Sequence, residues 1–147
     1  MNGKEHRIIG SGVGIGTYVL DRCIRQRPLR LVQAIGSGVG GYVGGHFPDD
    51  IEPAFHPNHR DSFHSVGTGV GVTFIATKSY FLTDWLEQKS EWIDNNIKES
   101  SCFLEKTILW IIKFLIDLLT GFVIGFLGGY VSHIVLDATT SKSIPWV

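Results

Sequence analysis

The sequence predicts an all-α fold: a small transmembrane helical bundle of about four spans, one domain over residues 1–147, with a polar amphipathic insert at 84–106. Three observations predict it. Four apolar segments alternate with polar connections. Glycines recur at a spacing of four within those segments. Between the segments there is no Asn-Gly or Asp-Gly pair, and within them no strict alternation, so hairpins are disfavoured.

The segments are Ile8–Leu20, about Leu29–Phe47, about Ser65–Thr83 and Thr107–Asp137. A membrane helix needs roughly 20 mostly apolar residues. The fourth segment meets that alone, despite Lys113 and Asp117, which lie four apart and are placed to pair on one face. The other three are shorter or only moderately apolar, and glycine assigns them. Gly12/Gly16, Gly36/Gly40/Gly44, Gly41/Gly45, Gly67/Gly71 and Gly121/Gly125/Gly129 each place small residues on one helix face. In lipid such faces let backbones approach closely. In water each interior glycine would cost about 1 kcal/mol of helix stability. The same faces are candidates for self-association into a homo-oligomer.

The connections differ in chemistry. Residues 21–30 are short and basic, with Arg22, Arg25, Arg27, Arg30 and Pro28. Residues 46–64 are rich in Pro, His and Asp. In the insert, Trp85, Trp92 and Ile93 recur at helical spacing among mixed charges, which predicts a helix lying on the membrane surface with its tryptophans at headgroup level. The net charge of −1 gives no footprint for nucleic acid. Cys23 and Cys102 form no CxxC pair and are read as reduced thiols. No cleaved signal peptide is expected at the N-terminus. Four arginines in 21–30 place that loop in the cytoplasm of a multi-pass inner (plasma) membrane protein.

Four alternating spans bring the N-terminus, the 46–64 loop and the end of the last segment to one side. All six histidines of the chain fall there. His133 and Asp137, at i and i+4, project from one helix face and can bind one metal. An aspartate at the edge of a span is costly unless paired or liganded. Asp49, Glu52, His59 and His64 add oxygen and imidazole ligands suited to Zn, Mn or Fe. Pro48, Pro53 and Pro57 stiffen the loop that carries them. Arg60 is placed to hold a phosphate or carboxylate in two-point fashion. With His6, the expected ligand set is His6, Asp49, Glu52, His59, His64, His133 and Asp137, for a divalent metal, zinc first.

Three blocks resemble the LexA-binding, inner-membrane-associated hydrolase family, membrane-bound metal-dependent hydrolases of bacteria and phages. His6 matches an N-terminal histidine of the first helix. Gly44-Gly45-His46-Phe47-Pro48-Asp49, followed by His59-Arg60 and His64-Ser65, matches a second block. Gly129-Tyr130-Val131-Ser132-His133 with Asp137 and Thr139 matches a third. Where many members read Pro-Asp-x-Asp-His, this chain has Pro48-Asp49-Asp50-Ile51-Glu52-Pro53, so Asp49 carries over directly and Glu52 by position. The ligand types are also loosely similar to those of zinc-dependent phospholipase C proteins.

The resemblance implies a hydrolase of a phosphoester or lipid-linked substrate, either a membrane lipid or a small molecule. Arg60 would steady developing charge, and Glu52 would serve as ligand or base. The competing expectation is a non-enzymatic membrane scaffold or phage-related effector subunit with a structural metal. A structural site is closed by four protein ligands, whereas a catalytic one keeps a position open.

Overall fold

The structure is a computed structural model that describes residues 3–51 and 66–138. Every element among them is an α-helix: α1 (Gly3–Arg25), α2 (Leu31–Gly44), the short α3 (Phe47–Ile51), α4 (Val66–Glu99) and α5 (Phe103–Ala138). The all-α expectation is met. With a rise of 1.5 Å per residue, the 36 residues of α5 extend about 54 Å and the 14 of α2 about 21 Å. Among the described residues one helix, rather than the expected four, is long and apolar enough to cross a membrane, Phe103–Asp137 within α5.

α5 is the spine. Its second half packs on α2 and α1, and α4 runs beside it. Glycine sets how closely these helices meet. A Cβ at Gly121 would overlap the carbonyl oxygen of Gln33, one at Gly125 that of Ser37, and one at Gly129 that of Gly41. From the other side, Cβ atoms at Gly36, Gly40 and Gly44 would overlap carbonyls of Leu118, Phe122 and Phe126. Gly10 and Gly41 do the same between α1 and α2. The predicted small-residue faces of α2 and α5 are thus spent inside the chain, at backbone contact distance. Gly12 and Gly16 of α1 and Gly71 of α4 are different: a Cβ there meets nothing within 4 Å.

α1 ends at Gln26, which sits in the left-handed region at φ 53°. The Gln26 N–H donates to the Cys23 carbonyl (3.3 Å) and the Arg27 N–H to the Arg22 carbonyl (3.0 Å). This is the paired bonding of a Schellman cap, and Pro28 follows where the helix cannot continue. A non-glycine residue is strained in this conformation. Gln26→Gly is expected to raise stability by up to about 1 kcal/mol, read as a higher unfolding midpoint in detergent.

The insert differs from its expectation. α4 runs unbroken from Val66 to Glu99, so the third apolar segment and the insert are one helix. No Gly or Pro interrupts it after Gly71. The insert is thus not a separate helix. It turns at residues 100–102 and packs back along α5 through Leu86, Ser90, Ile93 and Ile97, all buried. Their 4-3-4 spacing is that of a coiled-coil seam. Trp85 and Trp92 do face outward, at 53% and 59% exposure.

Burial is inverted relative to a water-soluble bundle. Buried side chains include Gln33, Ser37, Glu87, Asp117, Thr120, His133 and Asp137. Exposed ones include Ile8, Ile24, Leu31, Phe74, Phe103 and Leu104. Every one of the four long helices carries large apolar residues on its outer face.

Candidate metal centre

Three elements converge at one end of the bundle. The N-terminal part of α1 supplies His6. The α2–α3 junction supplies Gly45, His46 and Asp49. The last turns of α5 supply His133 and Asp137. The junction is fixed by aromatic packing: the Phe47 ring lies 5.2 Å from Phe126, edge to face, and 6.4 Å from Tyr130. Pro48 beside it is fully buried. This packing seats α3 against α5 and brings Asp49 toward His133.

His6, His133 and Asp137 are all buried, and their ligand atoms lie within 4.8 Å of one another. His6 Nε2 is 3.4 Å from Asp137 Oδ1, and His133 Nε2 is 3.5 Å from Asp137 Oδ2. Asp49 Oδ1 stands 3.7 Å from His133 Nε2. The two imidazole rings lie with centroids 4.2 Å apart. These separations exceed the roughly 2.7–2.9 Å of a charge-assisted hydrogen bond. They approach the spacing of about 3.3–3.4 Å between tetrahedral ligand atoms at zinc bond lengths of about 2.0–2.1 Å.

Proton placement fits the same role. His133 Nδ1 lies 2.8 Å from the Gly45 carbonyl oxygen. A carbonyl can only accept, so Nδ1 carries the proton, and in the neutral ring Nε2 keeps its lone pair toward the carboxylates. Metal-binding histidines are oriented in this way. His6 Nδ1 is buried with no hydrogen-bond partner among the described residues. Metal ligation would require both rings to be neutral, and the two carboxylates would then carry a charge of about −2, which a divalent cation matches.

Of the predicted ligands, the structure brings together His6, His133 and Asp137, with Asp49 alongside. Glu52, His59, Arg60 and His64 lie outside the described residues. His46 was not among the predicted ligands. Its Nδ1 is 3.3 Å from Asp49 Oδ2 and its Nε2 is 3.3 Å from Asp50 Oδ1. Its spacing of three from Asp49 on a helical turn is the signal that could have found it.

A second polar cluster stands at the arginine end. Buried Glu87 accepts hydrogen bonds from Arg22 and Arg27, and Arg27 also donates to Asp84 at 2.6 Å. Asp117 accepts from Gln33, Ser90, Arg30 and Lys113 at 2.8–3.2 Å. The expected Lys113–Asp117 pair is therefore present, within a larger network. Burial pushes the Glu87 carboxyl up, but Arg22 and Arg27 more than offset it and hold it below its ordinary value.

Comparison with family models, with curated proteins and with solved structures finds no match to this chain.

Proposed function

We propose that the chain is a multi-pass inner-membrane protein and a metal-dependent hydrolase of a phosphoester or lipid-linked substrate. What supports the membrane reading is the inverted burial on α1, α2 and the first half of α4, with polar side chains inside and large apolar ones such as Ile8, Leu31 and Phe74 outside, together with the length and apolarity of α5. The four spans in this reading are α1, α2, the first half of α4 and the second half of α5. From His6 to Arg25 is 19 helical steps, about 28 Å. That is close to the roughly 30 Å of a hydrocarbon core. The His/Asp cluster and the arginine cluster then sit at opposite membrane faces, with the arginines on the cytoplasmic side.

The single observation that carries the hydrolase reading is the buried His6–His133–Asp137 group with Asp49 beside it. A divalent ion bound there would acidify a water and polarise a phosphoryl oxygen. Gly45 orients His133 by accepting its Nδ1 proton. Asp49, 31% exposed, forms the accessible edge, so substrate would approach across α3. Glu52 as base or ligand and Arg60 as charge-steadying group complete this reading, with His59 and His64 as further ligands.

A second reading is favoured by the depth of the site. His6, His133 and Asp137 are each at most 4% exposed, which suits a structural ion in a non-enzymatic scaffold. Metal analysis of detergent-purified protein tests both. Wild type is expected to hold about one zinc, manganese or iron ion per chain, and His133→Ala to hold at least roughly tenfold less. Equal metal content in the two ends the metal reading. Metal without chelator-sensitive hydrolysis of phospholipid or small phosphoesters favours the scaffold.

A further inference from the structure

α1 and α4 both flank α5, but among the described residues their backbones make little close contact with each other. The gap is a groove. Its upper part is a cavity of about 330 Å³ lined by Thr17, Asp21, Arg25, Tyr80, Ile124 and Leu127. Its continuation is a cavity of about 430 Å³ that shares Thr17 and Leu127 and reaches Val131 and Val135. One end is therefore charged and the rest is mainly apolar. Along α5, Ile124 to Val135 covers about 16 Å.

The charged end is incompletely satisfied. Arg25 Nε bonds Asp21 Oδ1 at 2.8 Å, another Arg25 nitrogen donates to Thr83 at 3.2 Å, and the guanidinium lies 3.9 Å over the Tyr80 ring. The Arg25 side chain is 9% exposed. Yet Arg25 Nη1 is buried with no hydrogen-bond partner among the described residues, and Asp21 Oδ2 has none either, its nearest cation being Arg22 Nε at the longer distance of 3.9 Å. Leaving such groups unpaired is costly. A ligand that supplies one acceptor and one donor would satisfy both without breaking the Asp21–Arg25 pair. A simple anion would be repelled by Asp21, and a simple cation by Arg25.

We propose that this groove holds one phospholipid with an ethanolamine headgroup, its phosphate on Arg25, its ammonium on Asp21 and an acyl chain along α1 and α5 toward Val135. The inference rests on the membrane reading above and not on the metal site. A zwitterion matches the adjacent opposite charges. The apolar floor matches a chain, and the charged end lies at the membrane face opposite the His/Asp cluster. Choline lipids carry no N–H for Asp21, and glycerol lipids carry no ammonium.

The full chain, purified in detergent, is mixed with dioleoyl phosphatidylethanolamine, phosphatidylcholine or phosphatidylglycerol, and retained lipid is counted by mass spectrometry. The ethanolamine lipid is expected at about one per chain, with roughly tenfold preference over the other two. Asp21→Asn should erase that preference. Val131→Trp, which leaves the polar end intact, should lower retention of all three while metal content stays as in wild type. Equal retention of the three headgroups, preference for the glycerol lipid, or undiminished retention in Val131→Trp overturns the proposal. The headgroup comparison uses wild type, so a variant that fails to fold leaves it decisive. Headgroup preference in protein without metal would leave this inference standing while the metal reading falls.

Discussion

Gly125→Val is expected to destabilise the protein by at least about 3 kcal/mol and to empty the candidate metal centre. A Cβ at this position overlaps the carbonyl oxygen of Ser37, which is backbone and cannot rotate away. Gly121 and Gly129, one turn to either side, face carbonyls of Gln33 and Gly41 in the same manner. Relief therefore requires α2 as a whole to move off α5. That motion would carry Gly45 away from His133 Nδ1, and α3 with its Asp49 away from His133 Nε2. The measurements are the unfolding midpoint in detergent and metal per chain. Gly12→Ala is the control: its Cβ would meet nothing within 4 Å, so stability should change by less than about 1 kcal/mol. Equal midpoints for Gly125→Val and wild type would mean that the α2–α5 seam is wrongly placed.

How much of this could be read in advance differs by residue. The His133–Asp137 pair was legible because a spacing of four on a helix has one geometric meaning. Its meeting with His6 followed from the alternation of helices, which returns both chain ends to one side. Glycine spacing foretold close helix contacts, but not that Gly36, Gly40 and Gly44 would interlock with Gly121, Gly125 and Gly129. That pairing depends on register, which no local pattern encodes. The Gly45 carbonyl that orients His133 is a backbone atom and leaves no mark in side-chain chemistry. The continuity of α4 was obscured by a change of composition near Thr83, where a polar run looks like a boundary. Helices stop at breakers and caps rather than at changes in polarity, and 84–99 contains neither Gly nor Pro. The loop 21–30 was expected beside the insert, and it is. The partners of its arginines were not foreseen, because long side chains find acceptors some 60 residues away only through the fold.

Glu87→Ala is expected to cost about 3–5 kcal/mol, because it leaves buried Arg22 with only Asp21, 3.9 Å away, as an acidic partner. Arg22 is 2% exposed and Glu87 3%, so neither can turn to water once its partner is gone. Arg27, 31% exposed and also bonded to Asp84, is less affected. The pair itself is not expected to add stability in proportion to that loss. Burying two charges costs nearly what their attraction returns, so Arg22→Met combined with Glu87→Leu should recover most of the deficit. A double-mutant cycle on unfolding midpoints measures the coupling. The pH dependence supplies an independent reading. Glu87 is held below its ordinary value of 4.5, so its contribution is fully present above that value and is lost as pH falls through the depressed folded value. Wild type should therefore lose stability on acidification more steeply than Glu87→Gln, which has no carboxylate to protonate. Identical acid limbs would mean that Glu87 is not held ionised by Arg22 and Arg27, and that the arginine turn is tied to α4 by packing alone.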